Sequence, residues 1–387
     1  MKFFYLGFHL PESLIRRYPK QNGAGQLWEG RLLKHLGSDA EVRVASIVDR
    51  KLKLPDVERS NPQHCLLQGK LGKDLQAYPS FVRLRAKYLG WRRQGWKPDC
   101  FIVYNSHPIG SAFTRFLARH DRDVKRILLF LDSRHFGKNL PLLKRLRLKL
   151  KPLHWPDEAM LPYFCGVASA SLSSKRFCRD QNIPWRWFPG GAQADGLLDS
   201  VQTPPADGIT RIGYFGSHSD YAGLKDLLEA FAADPDLNLV LSIAGDGSKT
   251  GELQQRSASD PRIEWVGFLK ERKDLGHWAS SCHMLVNPRP AGYGNDNNFP
   301  SKVFDYLQLG RPILSSITPT LQHAFGDSVM WYNADRPSAL SEALRRVSQK
   351  RISLLIQDGA NLRGKYAQSF SWGEQIGGLK EWICQIR

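Results

Sequence analysis

The chain has 387 residues, which is long enough for two domains with hydrophobic cores of their own. Its formal charge of +18 lies in one half: residues 1–200 contain 35 Lys and Arg against 17 Asp and Glu, whereas residues 201–387 contain 20 of each. Such a field favours anionic partners, among them phospholipid head groups, lipid-linked pyrophosphates and nucleic acid. The six cysteines form no Cys-x-x-Cys pair, which excludes the common metal-binding spacings and is typical of reduced thiols in a cytoplasmic protein.

The N-terminal segment, MKFFYLGFHLPE, has too short an apolar run for a signal peptide, and we interpret it as a first buried strand. No stretch of the sequence approaches the 18 or so apolar residues of a membrane span. Any contact with a membrane is therefore expected from its cytoplasmic surface.

Short apolar strands alternate with helical stretches through the first half of the chain. The predicted helices include Gln26–Leu36, Ser111–Arg119 and one near Ser174–Asp180. This alternation predicts a doubly wound parallel sheet. The predicted strands are Lys2–Phe8, Glu41–Val48, His64–Leu67, Cys100–Tyr104, Arg126–Leu131, Gly166–Ala170 and Trp185–Pro189.

A second α/β series begins at Arg211, after the stretch 196–209, which is rich in Pro, Asp and Thr and indicates a linker. The series includes a helix at Leu224–Phe231 and a strand at Leu239–Ile243. The final segment, Ser369–Arg387, has apolar residues at helical spacing. By itself this spacing fits a helix that simply caps the second domain.

The most informative segment is Pro300–Ser316, PSKVFDYLQLGRPILSS. Its apolar residues, from Val303 onward, follow helical spacing, and a proline at the start suits the first helical turn. Gly310 supplies a left-handed position after the helix, and Pro312 prevents the helix from continuing. The segment therefore predicts a loop, a helix, a stop and a short buried strand.

This helix carries Ser301, Lys302 and Asp305 towards one point. Free N–H groups and a lysine at the start of a helix suit a phosphate or pyrophosphate. An ordinary α/β loop with a solvated lysine is the alternative interpretation. Gly213–Ser217 also ends a predicted strand before a helix, as phosphate-binding turns do, but this signal is weak by itself.

The segment from Pro300 resembles the donor-site helix of GT-B glycosyltransferases of the family 4 or group 1 type, which carries the pattern Pro-x-Lys-x-x-Glu-Tyr-x-x-x-Gly-x-Pro. The resemblance extends over about residues 210–345, through YFGSHSDYAGLKDLLEAF, LVLSIAGDG, IEWVGFL and MLVNPRP in the order of that family. It implies an α/β fold of two Rossmann-like doubly wound domains facing a cleft. The implied regions are an acceptor-binding domain at 1–195, a linker at 196–209, a nucleotide-sugar-binding domain at 210–368 and a C-terminal helix at 369–387 that crosses back to the first domain.

The resemblance also implies a set of donor-binding residues. Asp305 matches the acid that accepts hydrogen bonds from the ribose, and the backbone around Gly267 matches the loop that binds the base, which favours UDP over GDP. The implied donor-binding residues are Gly216, Ser217, Gly245, Asp246, Gly267, Phe268, Arg289, Asn297, Ser301, Lys302 and Asp305.

This sequence departs from the family pattern at four donor-site positions, one of which is Asp305, a shorter acid where the pattern has Glu. The Arg and Lys that commonly clamp the pyrophosphate correspond to Ser217 and Ala222, which shifts the expected charge partner to Lys302 or Arg289. The first residue of the family's acidic pair corresponds to Asn297, which leaves retaining and inverting chemistry both open.

On the acceptor side, polar residues follow predicted strands at the sheet edge where doubly wound folds bind ligands. A general base is needed for inversion, and Asp132 is the first candidate, with His135 and His107 as alternatives. Polar loop residues with ordinary hydrogen bonds are the competing interpretation. Arg134 is a candidate for an acceptor phosphate, and Gly23 and Gly25 for backbone contacts to the acceptor.

Two basic stretches predict contact with an anionic membrane. They are Arg83–Lys97, in which Trp91 and Trp96 alternate with cations, and Leu142–Trp155. Tryptophan prefers the membrane interface and cations prefer anionic head groups. A solvated helix face is the alternative.

These observations predict a glycosyltransferase that moves a sugar from a nucleotide-diphosphate donor, UDP favoured, to an acceptor hydroxyl. The acceptor is expected to be a lipid-linked or cell-envelope glycan of polysaccharide biosynthesis, with the enzyme peripheral on the inner face of the membrane. No DxD-type motif stands in a suitable loop, so no metal or other cofactor is expected. The alternatives are a UDP-sugar epimerase or hydrolase of the same fold, and a catalytically degenerate partner protein. Nucleic acid is not an expected partner, because no known binding module is recognisable.

Overall fold

The computed structural model describes residues 1–18, 23–49, 52, 61–68, 74–131, 160–193, 197, 200–290 and 299–386. The chain divides into two compact units. Unit 1 contains Met1–Gly190 together with Gln375–Arg387, and unit 2 contains Gly191–Glu374. The sequence placed the corresponding limits at residues 195 and 368.

Unit 1 is built on a parallel sheet of seven strands in the order β3-β2-β1-β4-β5-β6-β7. Because the order reverses between β1 and β4, the carboxyl ends of these two strands flank the position where such sheets bind ligands. The strands are β1 (Lys2–Gly7), β2 (Glu41–Val48), β3 (His64–Gln68), β4 (Cys100–Tyr104), β5 (Lys125–Phe130), β6 (Gly166–Ser169) and β7 (Trp185–Trp187). The helices are α1 (Glu12–Arg17), α2 (Gly23–Leu36), α3 (Asp74–Arg93), α4 (Pro108–His120) and α5 (Ser173–Asp180).

Unit 2 is built on a parallel sheet of six strands in the order β10-β9-β8-β11-β12-β13. Here the order reverses between β8 and β11. The strands are β8 (Thr210–Ser217), β9 (Leu239–Asp246), β10 (Ile263–Gly267), β11 (Met284–Asn287), β12 (Ile313–Ser316) and β13 (Met330–Tyr332). The helices are α6 (Leu224–Ala232), α7 (Thr250–Ser259), α8 (Arg272–Ser280), α9 (Lys302–Gln308), α10 (Pro319–Phe325), α11 (Ala339–Ser348), α12 (Ile352–Tyr366) and α13 (Trp372–Gln385), which continues into unit 1.

The predicted α/β class with doubly wound parallel sheets is confirmed. The ends of the predicted strands are shifted by no more than about two residues, except that β9 continues three residues beyond the predicted Ile243. The predicted helix from Pro300 is shorter in the structure, because it begins at Lys302 with Ser301 as its N-cap residue. Gly310 has φ 63°, which confirms the left-handed stop. The helix that follows starts with Pro319, and the Thr318 hydroxyl accepts a hydrogen bond from the Leu321 N–H at 3.2 Å.

The core of unit 1 is rich in aromatic side chains. The Phe4 ring on β1 lies 5.2 Å from that of Trp91 and 5.6 Å from that of Phe113. Trp91 and Trp96 are only 2% and 4% exposed, and the Arg43 guanidinium stacks over both rings. The prediction that these tryptophans anchor the protein at a membrane is therefore wrong, because helical periodicity did not show which face of α3 packs against the sheet.

Along the parts of the chain that the structure describes, no helix combines the length and the apolar character needed to cross a bilayer.

The last part of α13 completes unit 1. The Lys125 ammonium donates to the backbone carbonyl of Ile383 at 2.7 Å. Gly166 on β6 lies directly under this helix, because a Cβ atom at position 166 would come within 2.8 Å of Trp382 and of Ile386. The glycine therefore permits the close approach of helix and sheet.

We expect Phe4→Ala to lower the free energy of unfolding by about 3–5 kcal/mol, because it removes a fully buried ring from the aromatic core. Chemical denaturation monitored by tryptophan fluorescence measures this change. Leu354→Ala, at a side chain that is 45% exposed, is the matched control and should change the value by no more than about 0.5 kcal/mol. Similar losses in both variants would contradict the assignment of the core.

Candidate functional site

Two glycine turns meet at the carboxyl ends of β8 and β9. Gly216 and Gly245 have φ 136° and 135°, a conformation that side chains rarely adopt. A Cβ atom at Gly245 would lie 2.0 Å from the Gly216 carbonyl oxygen, so the two backbones touch. The carboxyl ends of the two strands therefore carry no side chain at Gly216 and Gly245, so that a phosphate can approach the backbone closely there.

Lys302, the first residue of α9, points to this edge. The residue is half-buried, and its ammonium lies 4.1 Å from the centre of the Tyr214 ring and 3.8 Å from the place that a Cβ atom would take at Gly216. Burial first, and then the positive charge of Arg289, hold the pKa of Lys302 well below its usual range. In the described part of the chain no Asp or Glu lies within ion-pair distance of this ammonium. A diphosphate would supply the missing anion.

Asp305, one turn further along α9, has a different partner. Its Oδ1 atom accepts a hydrogen bond from the Arg272 guanidinium at 2.8 Å, and the two side chains are 18% and 27% exposed. The same guanidinium nitrogen donates to the backbone carbonyl of Gln193 at 2.7 Å. Asp305 thus retains an unshared carboxylate edge and a fixed orientation, both of which suit a ribose hydroxyl.

The other predicted donor-side residues are distributed over the loops around the two turns. Ser217, which stands where the family commonly has an arginine, is exposed, and its hydroxyl donates a hydrogen bond to the Ser219 hydroxyl. Asp246 closes its own turn, because it accepts hydrogen bonds from the Gly247 N–H at 2.7 Å and from a threonine hydroxyl at 2.9 Å. The threonine hydrogen bond is the main reason why the pKa of Asp246 lies below its usual range.

Gly267 and Phe268 lie at the end of the edge strand β10. Gly267 has φ 84°, with no atom within 4 Å of the place that a Cβ would take, and the Phe268 ring is 66% exposed. Ser301 is exposed. Arg289 is half-buried, and burial lowers its pKa. Asn297 lies outside the described residues.

In unit 1, His107 follows β4 and caps helix α4. Its Nδ1 atom accepts a hydrogen bond from the Gly110 N–H at 3.0 Å, so the ring proton resides on Nε2. Burial lowers the pKa of His107 to about 3, and its Nε2 atom has no hydrogen-bond partner in the structure as described. The geometry therefore makes His107 a hydrogen-bond donor, with no free lone pair for the base role that the sequence offered as an alternative.

Gly23 and Gly25 lie in the first turn of α2, whose first turn carries no acidic residue. Asp132, Arg134, His135 and the basic stretch Leu142–Trp155 lie outside the described residues. The preceding residue, Leu131, is held by its N–H, which donates to the Asn105 side chain at 2.8 Å. Asn105 has φ 54°, a left-handed conformation that is unusual for a residue other than glycine.

Glu29 on α2 is a buried carboxylate that sequence reasoning missed. It accepts hydrogen bonds from the Tyr5 hydroxyl at 2.7 Å and from the backbone N–H groups of Phe8 and His9 at 2.8 Å and 3.1 Å. Burial outweighs these bonds and raises the pKa of Glu29 to about 7. The residue fixes the loop after β1 at the sheet edge where the strand order reverses.

Comparison with known proteins connects these loops with a family. The sequence profile of the family "Glycosyl transferases group 1" matches residues 200–363. A search of curated protein sequences gave no significant match. Three solved structures share the fold at low identity. They are HepE of Anabaena in complex with UDP (TM-score 0.68, 13% identity, 99% of this chain and 100% of that chain), the lipopolysaccharide outer core galactosyltransferase WaaB in its apo form (0.63, 14%, 99% and 99%) and the trehalose-6-phosphate synthase OtsA (0.69, 10%, 100% and 100%).

Residues 200–363 are a group 1 glycosyltransferase domain, and the chain as a whole has the GT-B fold. The predicted resemblance is thereby confirmed, and the family match covers both glycine turns, Lys302 and Asp305. Within the described ranges, no group of three or more His, Cys, Asp or Glu side chains is placed to hold a metal ion. That the glycosyltransferase works without a cofactor stays a prediction.

Two notable residues, one in each unit, were absent from the sequence prediction. Arg272 lies 33 residues before its partner Asp305, and no local pattern connects the two. Glu29 falls on the same helical face as Leu32 and Leu36, both of which are fully buried. An acidic residue on this apolar face was the feature of the sequence that could have identified it.

The raised pKa of Glu29 gives a pH dependence of stability. Because the folded pKa lies above the ordinary value of 4.5, this group stabilises the fold fully below pH 4.5, and the contribution is lost as pH rises through about 7. Between pH 4.5 and 8 the unfolding free energy of the wild type should therefore fall by about 3 kcal/mol relative to Glu29→Gln, as measured by urea denaturation.

Glu342→Gln is the matched control for this experiment. The hydrogen bond from Arg336 holds the pKa of Glu342 below its usual range, so its stabilisation is present at high pH and lost as pH falls. The wild type should therefore gain stability relative to Glu342→Gln as pH rises. A constant difference between the wild type and Glu29→Gln across the pH range would contradict the assignment.

Proposed function

We propose that this glycosyltransferase moves a sugar from a UDP-linked donor to an acceptor hydroxyl. The observation that carries the proposal is the Lys302 ammonium, held above Tyr214 beside the Gly216 turn with no carboxylate partner among the described residues. A desolvated cation beside an open backbone turn stabilises the negative charge that develops on a departing diphosphate. The complex of HepE with UDP supports the choice of nucleotide.

In this proposal the donor extends from the Gly216 turn past Asp305 towards Gly267. Lys302, with Arg289 nearby, contacts the diphosphate, Asp305 contacts the ribose, and the backbone at Gly267 contacts the base. Catalysis then depends mainly on positioning and on electrostatic stabilisation of the leaving group. On the acceptor side, Asp132 is the proposed base and His107 Nε2–H a hydrogen-bond donor to a substrate oxygen.

The donor site is tested with a thermal-shift panel of UDP, GDP, ADP and CMP. UDP at 100 times its dissociation constant should stabilise the wild type by about 2.7 kcal/mol. Lys302→Met should weaken UDP binding by at least about tenfold, because it keeps the alkyl contact with Tyr214 but removes the charge. Lys225→Met is the control, since Lys225 is exposed and pairs with Glu229 at 3.7 Å. Unchanged UDP binding by Lys302→Met would disprove the proposed site.

We further propose that the acceptor is an anionic lipid-linked or cell-envelope glycan and that the enzyme works on the inner membrane face. The outer face of α3 supports this proposal. Tyr78 and Val82, one helical turn apart, are 57% and 46% exposed. Arg83, Arg85 and Arg93 are exposed on the same helix, and within the described residues none of them pairs with a carboxylate. WaaB, a lipopolysaccharide galactosyltransferase of the same fold, fits an envelope acceptor.

Membrane contact is tested by sedimentation with vesicles of phosphatidylglycerol or of phosphatidylcholine. The triple change Arg83→Gln, Arg85→Gln and Arg93→Gln should reduce binding to phosphatidylglycerol on the order of 100-fold, since each cation near such a surface contributes about 1 kcal/mol. Changing Arg256, Arg346 and Arg351 of unit 2 to Gln removes the same charge and should have a smaller effect. Equal losses in the two triple variants would show that net charge alone acts.

An assay with UDP-sugars and no acceptor separates transfer from the alternatives. A transferase should release UDP much faster once an acceptor hydroxyl is added. An epimerase would convert the UDP-sugar, and a hydrolase would release UDP, equally well without an acceptor. A degenerate partner protein would do neither.

A further inference from the structure

Helix α9 carries two opposite charges three residues apart, Lys302 and Asp305. Side chains at this spacing lie on one helix face, close enough to form an ion pair. The structure shows another arrangement, because Asp305 bonds to Arg272 at 2.8 Å and the Lys302 stem extends to the Gly216 turn. The natural local partner of Lys302 is thus already engaged elsewhere.

The position of Arg272 is itself fixed. Arg272 is the first residue of α8, and the start of this helix is closed by the Asp274 carboxylate, which accepts from the Glu271 N–H at 3.3 Å. The bond from the guanidinium to the Gln193 carbonyl, at 2.7 Å, gives it a second attachment. Asp305 therefore meets a cation that is held in place by two other elements.

We propose that Arg272 is a positioning residue that keeps Asp305 from pairing with Lys302 and so keeps the lysine available for the donor diphosphate. Without Arg272, the carboxylate turns to the nearest cation on its own helix, and the ammonium is neutralised before the donor arrives. The inference rests on the proposed UDP-sugar site. It adds a residue, Arg272, that keeps the Asp305 carboxylate away from the Lys302 ammonium without itself contacting the diphosphate.

The test uses inorganic pyrophosphate, which has no ribose and therefore probes the Lys302 part of the site alone, with UDP measured in parallel by calorimetry. Arg272→Met should bind pyrophosphate roughly tenfold more weakly than the wild type, because a charge-assisted contact is lost. Asp305→Asn should bind pyrophosphate as the wild type does, since its amide does not neutralise the lysine. The double variant Arg272→Met with Asp305→Asn should recover wild-type affinity for pyrophosphate. Arg272→Lys should retain most of it.

Recovery in the double variant is the decisive outcome, because a merely structural arginine would not be rescued by removing a charge from its partner. Arg336→Met is the matched control; it removes another arginine of unit 2, which pairs with Glu342 at 2.6 Å. A double variant as weak as Arg272→Met, or an Arg272→Met variant as tight as the wild type, would overturn the inference. A wild type that binds neither UDP nor pyrophosphate would instead refute the proposed function itself.

Discussion

The charge on Lys302 is the constraint on which the rest of the donor-side geometry depends. Burial disfavours an ammonium that has no anion beside it, and the neighbouring Arg289 adds to this cost. The Tyr214 ring offsets part of it through its contact with the cation. In the proposed complex, the donor diphosphate would supply the anion that Lys302 lacks among the described residues and would relieve this repulsion. Glycine suits position 216 because its φ of 136° is a backbone conformation that other residues rarely adopt.

The features that could be predicted from the sequence are those encoded locally. Gly310 indicates the end of α9 because few other residues adopt its left-handed backbone conformation. The strands were found because both faces of a parallel sheet are covered, so that each strand is a short apolar run. Lys302 and the Gly216 turn were found through the spacing of a family pattern. In each case the signal lies within a few neighbouring residues.

The features that escaped prediction depend on contacts between distant segments. The pattern of α3 gave no indication that Trp91 packs against Phe4, so an aromatic core was interpreted as a membrane anchor. The pairing of Asp305 with Arg272 joins α9 and α8, which are separated in the sequence by β11. Along the chain, Lys302 is the cation nearer to Asp305. Glu29 was overlooked because a carboxylate is rarely placed on the buried face of a helix.

The return of the last helix into unit 1 has a consequence for the order in which the protein is made. Unit 2 is one continuous segment, whereas unit 1 includes Gln375–Arg387, and Gly166 of its sheet lies against Trp382 and Ile386. During synthesis unit 2 can form its core while the sheet of unit 1 still lacks the contacts of Trp382 and Ile386 with Gly166. Unit 1 therefore stays incomplete until the residues after Glu374 have been synthesised, and that interval is when it is most exposed to aggregation.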